Sequence, residues 1–267
     1  MHSSQKSKQK SKRISLLLQS LFVCALAATL SPQSANSSEN SQAGYELEQS
    51  SLLLGKVSVR ITSNAAQFFN KGQGVYILSR APAWNLLIVN PRAKTYYECK
   101  VTDFSSSMTR GITLLTGRTM TDVTYQSVPQ KQPDGLWHFV SNAAYTKRET
   151  ELHENMFRGS AQPKTADMWT NPKIPATPQV VAIAGRLYGF SVMDGMPVRV
   201  RYLDFDKEEK LFLSTQKITK RTFTDNDFER RLPSYHKTAN LAAVYRTAAT
   251  EAAMDEMLQG LETNLKR

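Results

Sequence analysis

The apolar residues of this chain follow three patterns: one continuous run, many alternating stretches, and two stretches at helical spacing. The run is ISLLLQSLFVCALAATL, the 17 residues from Ile14 to Leu30, interrupted only by small side chains and Gln19. Lys6, Lys8, Lys10, Lys12 and Arg13 precede it without an acid, and Ser31-Pro32 turns the chain polar after it. A basic stretch, an apolar stretch and then small residues is the order of a secretory signal peptide. Residues 1–35 are therefore expected to export the protein, to a periplasmic or secreted location, with Ala25-Leu26-Ala27 or Ala35 near the cleavage point. An uncleaved membrane anchor is the alternative, since 17 residues is the short limit of a spanning helix. Residues 36–50, rich in Ser, Asn and Gln without an apolar period, are expected to be a flexible polar linker.

Between there and residue 237 alternating stretches recur, while residues 103–120 are mixed and 147–168 are polar and poorly patterned. Val57, Val59 and Ile61 alternate with Ser58, Arg60 and Thr62, as in a half-buried strand. GVYILSR, WNLLIVN and TYYECKV are three further short strands, separated by Ala81-Pro82 and by the Asn90-Pro91 turn. Tight turns between short strands imply antiparallel pairing, because parallel strands need long crossovers. Thr124 to Val128 and Gly135 to Tyr145 are expected strands around the Pro133-Asp134-Gly135 turn. Val198, Val200 and Tyr202 alternate before the charged turn from Asp204 to Glu209, and KLFLSTQKITKRTF returns. Helical spacing appears twice. Thr177-Pro178 is an N-cap followed by proline at the first helical position, Val180, Ile183, Ala184 and Leu187 share a face, and Gly189 ends the helix. In residues 238–267, Leu241, Val244, Ala248, Met254, Met257, Leu258, Leu261 and Leu265 form an apolar stripe on a C-terminal amphipathic helix. The expected class is α+β: an antiparallel sheet domain over residues 51–237, short helices covered by the sheet, and that terminal helix.

Charge and chemistry narrow the function less than they narrow the fold. The chain has 267 residues, 34 Lys+Arg and 23 Asp+Glu, for a formal charge of +11. Five of the basic residues and none of the acidic ones lie in residues 1–35, so the remainder carries only +6. That excess gives no support to nucleic-acid binding. After cleavage Cys99 is the one cysteine, which excludes an intramolecular disulfide. No G-x-S-x-G, P-loop, dinucleotide glycine pattern or C-x-x-C occurs, and His153-Glu154 lacks the second histidine of H-E-x-x-H. No catalytic residue, metal site or cofactor is expected. A hydrolase would need His138, His153 or His236 to meet a carboxylate in an open cluster.

An antiparallel sheet with one apolar face must cover it with helices, a second sheet or a ligand. Val57, Val59, Ile61, Val75, Ile77, Leu86, Ile88, Val198, Val200 and Tyr202 are the residues that would line an apolar ligand cavity. The plainer reading of the same ten is core.

The stretch GVYILSRAPAWNLLIVNPRAKTYYE resembles the core of periplasmic domains with the LolA-like fold, the superfamily of the outer-membrane lipoprotein carrier. It is more similar to an uncharacterised family of exported bacterial domains related to that superfamily. Ala166-Asp167-Met168-Trp169-Thr170 matches its Trp-bearing strand, 178–188 its short helix, and Gly195-Met196-Pro197-Val198-Arg199-Val200 the opening of its next strand. Phe228, Pro233 and Tyr235-His236-Lys237 match its close, with a longer Phe–Pro spacing. The resemblance implies a curved antiparallel sheet, an incomplete barrel, around short helices. It also implies a non-enzymatic envelope protein with a lipid or other hydrophobic ligand. The carrier's functional arginine has no matching motif here. The alternative is an envelope scaffold with a filled core, whose C-terminal helix binds a protein partner.

Overall fold

The computed structural model describes residues 41–104, 120–142, 147–148, 151, 163–191 and 193–245, all within the unit Ser41–Arg267. Residues 1–35, expected as a signal peptide, His153 and the sequence beyond Tyr245, where most of the expected C-terminal helix falls, lie outside the described residues. No described helix is long and apolar enough to cross a membrane.

Twelve strands make one open sheet. The first meander is β1 (Gln42–Ser51), β2 (Gly55–Thr62), β3 (Ala65–Asn70), β4 (Val75–Arg80), β5 (Leu86–Asn90) and β6 (Thr95–Cys99). The second is β7 (Gln130–Lys131), β8 (Trp137–Val140), β9 (Thr165–Asn171), β10 (Met196–Leu203) and β11 (Glu209–Phe223). A last short strand, β12 (His236–Lys237), follows them. The strand order is β12-β6-β5-β4-β3-β2-β1-β11-β10-β9-β8-β7. Every pairing in it is antiparallel except that of β12, which runs parallel beside β6. Among the described residues two α-helices have defined bounds, α1 (Pro178–Tyr188) and α2 (Leu241–Tyr245).

From Gln42 onward the polar stretch expected as a linker over 36–50 is instead β1, the strand that joins the two meanders; residues 36–40 lie outside the described residues. Its outer face is charged because the charges are paired: Glu46 accepts from Arg60 at 3.0 Å and also from Arg221, and Glu48 pairs with Lys71. Its inner face carries Leu47, Gln49 and Ser51, all buried. Gln49 is tolerated there because its amide is fully used. Nε2 donates to Pro197 O and Thr215 Oγ1, both at 2.9 Å, and Oε1 accepts from the Tyr188 hydroxyl at 2.5 Å. Gly44 lets β1 lie close to β2, since a Cβ there would sit 2.2 Å from Ile61 O.

Two more elements depart from the expected pattern. β3 hides its period because both faces are covered: Arg230 reaches over Gln67 at 3.0 Å and lies 4.3 Å from the Tyr76 ring, itself stacked on Phe69. Residues 124–128 are not a strand. Tyr125 makes a single bridge to Ser141, and β7 takes the edge position beside β8.

The α1 boundaries match the expectation. Thr177 Oγ1 accepts from Val180 N at 3.4 Å, and Gly189 closes the helix at φ 76°. Val180, Ile183, Ala184, Leu187 and Tyr188 are buried in one cluster with residues of both meanders. The second helix begins where the C-terminal stripe begins, and Val244 docks it on the sheet with Asn90 Nδ2 donating to Val244 O at 2.8 Å.

Two outcomes test this account. Tyr188→Phe leaves Gln49 Oε1 buried without its donor and should cost about 1–3 kcal/mol in denaturant unfolding, with no change in secondary structure. Burial alone would raise the Glu46 carboxyl, but hydrogen bonds from Arg221 and Arg60 outweigh it and hold it below its usual 4.5. A depressed carboxyl stabilises above its unfolded value and loses that contribution as pH falls through the folded one. Glu46→Gln should therefore lower the melting temperature at pH 7, with the gap to the unmodified protein narrowing steadily below about pH 4.5.

Candidate functional site

The structure places all ten expected cavity residues inside the buried cluster. Val57, Val59, Ile61, Leu86, Ile88 and Val200 are wholly buried, Val75, Ile77 and Tyr202 nearly so, and Val198 is 6 % exposed. They share that cluster with the inner face of α1, and none lines either of the two hollows described next.

The larger hollow is an open groove of ≈ 820 Å³ beside the first turns of α1. Its position follows from local chemistry. After β9 the chain runs through Pro172 and Pro175, which cannot donate to a ladder, so the sheet stops and the loop climbs toward Pro178. α1 then turns its inner face to the core and offers Val181 and Ala182 to the groove. Trp137 from β8 and Met193 from the loop before β10 complete the apolar wall. Among the described residues Asp194 is the one charged member of the lining, and Gly195 follows it at φ 85°. Behind Gly195 lies Thr170, fully buried, whose Oγ1 has no hydrogen-bond partner among the described residues. A Cβ on Gly195 would come within 3.0 Å of that oxygen.

The smaller hollow, ≈ 330 Å³, lies by the 3₁₀ turn Asp225–Phe228 and is more polar. Arg80 in its wall is held by Asp225 at 2.7 Å and by Glu229 at 2.5 Å, so its charge is already neutralised.

A third feature lies on the outer face of β8, β9 and β10. His138, Trp169 and Arg199 are direct cross-strand partners. The imidazole stacks on the indole at 4.4 Å and 3°, and the Arg199 and Arg201 guanidiniums lie 4.8 and 4.9 Å from the same ring. His138 Nε2 lies 2.9 Å from Asp167 Oδ1, and Asp167 Oδ2 accepts from Arg201 Nε at 3.1 Å. A histidine oriented by a carboxylate is half of a nucleophilic constellation. Among the described residues no serine, threonine or cysteine is hydrogen-bonded to His138, and its carboxylate is shared with an arginine. The group reads as a packed charge-and-ring ladder. His236 lies in β12 and pairs with Thr95 of β6, at the opposite edge of the sheet, so the structure does not bring it to His138. Cys99 ends β6 half-buried, and burial followed by the nearby Asp103 pushes its thiol up, away from nucleophilic form. No group of three metal-binding side chains gathers among the described residues.

Sequence reasoning did not find the groove. Its wall draws Trp137, Ile174, Val181, two alanines, a loop methionine and three prolines from separate segments, a set with no common period; the closely spaced Pro172, Pro175 and Pro178 were the available signal.

No protein-family model matches the chain, and no curated protein matches it. Among solved structures it is similar to an uncharacterised conserved protein from Thermus thermophilus, with a TM-score of 0.38 and 8% identity over 74% of this chain and 90% of that one. A likeness of that size carries no functional argument.

Proposed function

We propose that this is an exported, non-enzymatic protein of the cell envelope that holds a lipid or other hydrophobic ligand, its apolar part lying in the groove beside α1. The observation that carries the reading is a largely apolar hollow of ≈ 820 Å³ beside the first turns of α1. That size is within the ordinary range for small-molecule sites, roughly 300–1,000 Å³, and apolar walls with few polar groups are their usual lining.

The incomplete-barrel reading belongs to the same proposal. α1 packs on β10, and its Arg186 donates to Thr102 O at 2.9 Å and Phe104 O at 3.0 Å, just beyond β6. β6 and β10 are seven positions apart in the strand order. In a flat sheet that is roughly 34 Å, whereas a helix with its side chains is about 10–12 Å across. Bending of the sheet round α1 reconciles the two. The register shifts at Glu48/Gln49, Val200/Arg201 and Pro197/Arg199 favour it, because bulges bend strands and increase their twist. A sheet curled on a helix that fills its interior leaves room for a ligand at the rim rather than behind Val59 or Val200.

The experiment is native mass spectrometry of the exported protein purified without detergent. Adducts with lipid or fatty-acyl masses, released on denaturation, are the expected result. Ala182→Trp, which fills the groove from its wall, should lose them while keeping the circular dichroism of the folded chain. A clean protein mass after membrane lipids have been offered would overturn the reading.

A further inference from the structure

We infer that the groove selects amphiphiles whose polar head ends in an ammonium and rejects those ending in a carboxylate. The inference rests on the proposed binding role of the groove and adds the charge of the head group to it.

Asp194 carries the argument. It stands exposed at the groove wall, between Met193 and Gly195, and makes no ion pair among the described residues. Acids on the outer sheet face are committed by contrast: Glu46, Glu48, Asp167 and Glu209 each meet an arginine or lysine. An uncommitted carboxylate beside an apolar wall attracts a cationic head and repels an anionic one, more strongly than in open water because the wall displaces solvent from one side.

Two positive features nearby oppose it, and geometry weakens both. Lys173 belongs to the loop that forms one wall, but it is not in the lining; its Nζ lies by Gly135, 3.5 Å from where a Cβ would be. The first turn of α1 faces the groove with the positive end of its dipole, about half a charge. Pro178 has no N–H to present there, Thr177 takes the Val180 and Val181 N–H groups, and the Gln179 N–H that remains is only a partial charge. The full charge of Asp194 therefore sets the sign.

The test uses two probes of equal chain length below their aggregation limits, dodecyltrimethylammonium and dodecanoate, titrated into the whole exported protein by calorimetry at low ionic strength. The ammonium probe should bind about five- to tenfold tighter, as expected for one attraction gained and one repulsion avoided at a partly exposed charge. The ratio should shrink as salt is added. Asp194→Asn should bring the two affinities together, and Ala182→Trp should abolish both. Equal affinities in the unmodified protein, tighter dodecanoate, or a preference that survives Asp194→Asn would each overturn the head-group inference and leave the apolar groove standing. Failure of both probes to bind would overturn the binding role itself, and this inference with it.

Discussion

Among the described residues the two meanders pair in the sheet through β1 and β11, and the Gln49 side chain of β1 can lie in the core because its amide is satisfied there. A primary amide moved from water to an apolar interior without partners costs several kcal/mol. Here the amide joins four elements: Nε2 donates to β10 and β11, and Oε1 accepts from the Tyr188 hydroxyl at the end of α1. The bond is therefore more than local compensation. It sets where the helix ends over the sheet, and through α1 it sets where the interior is full and where it is open. The register shift between Glu48 and Gln49 lies at the same point, so the extra residue on β11 and the buried amide are parts of one junction.

From that junction the location of the groove follows. The inner face of α1 is used by Val180, Ile183, Leu187 and Tyr188, which pack against the strands of both meanders. The first turns of the helix, where the prolines hold the incoming loop away from β9, retain an apolar surface open to solvent. The buried Thr170 hydroxyl behind Gly195, unpartnered among the described residues, shows that packing under this wall is imperfect in hydrogen-bonding terms as well.

The outer face of the sheet is organised by a different principle. Its charges occur in pairs and networks that let polar strands occupy central positions: Glu46 between Arg60 and Arg221, and Asp167 between His138 and Arg201. Trp169 lies within one such network, sheltered by the stacked His138 ring and two guanidiniums, and so is 8 % exposed on a face that is otherwise wet. Asp194 lies outside the sheet and is the one charged residue of the groove lining among the described residues.

Much of this was legible in the linear chain wherever local chemistry decides local structure. The Thr177-Pro178 start and Gly189 stop define α1 to the residue, since a cap and a left-handed terminus depend only on neighbours. The Asn90 turn and the β4–β5–β6 meander were equally plain, because short apolar or aromatic runs bounded by turn residues mark strands. β1 and β3 were not legible: in one the polar residues on both faces are satisfied by partners far along the chain, and in the other both faces are covered. The apolar identity of Val57, Val59 and Val200 was evident from their period, but the tertiary structure decided that they share a core with α1. It also decided that the open apolar surface joins Trp137 of β8, the proline-bearing loop after β9, Val181 and Ala182 of α1 and the loop residue Met193, residues of separate segments that share no period along the chain.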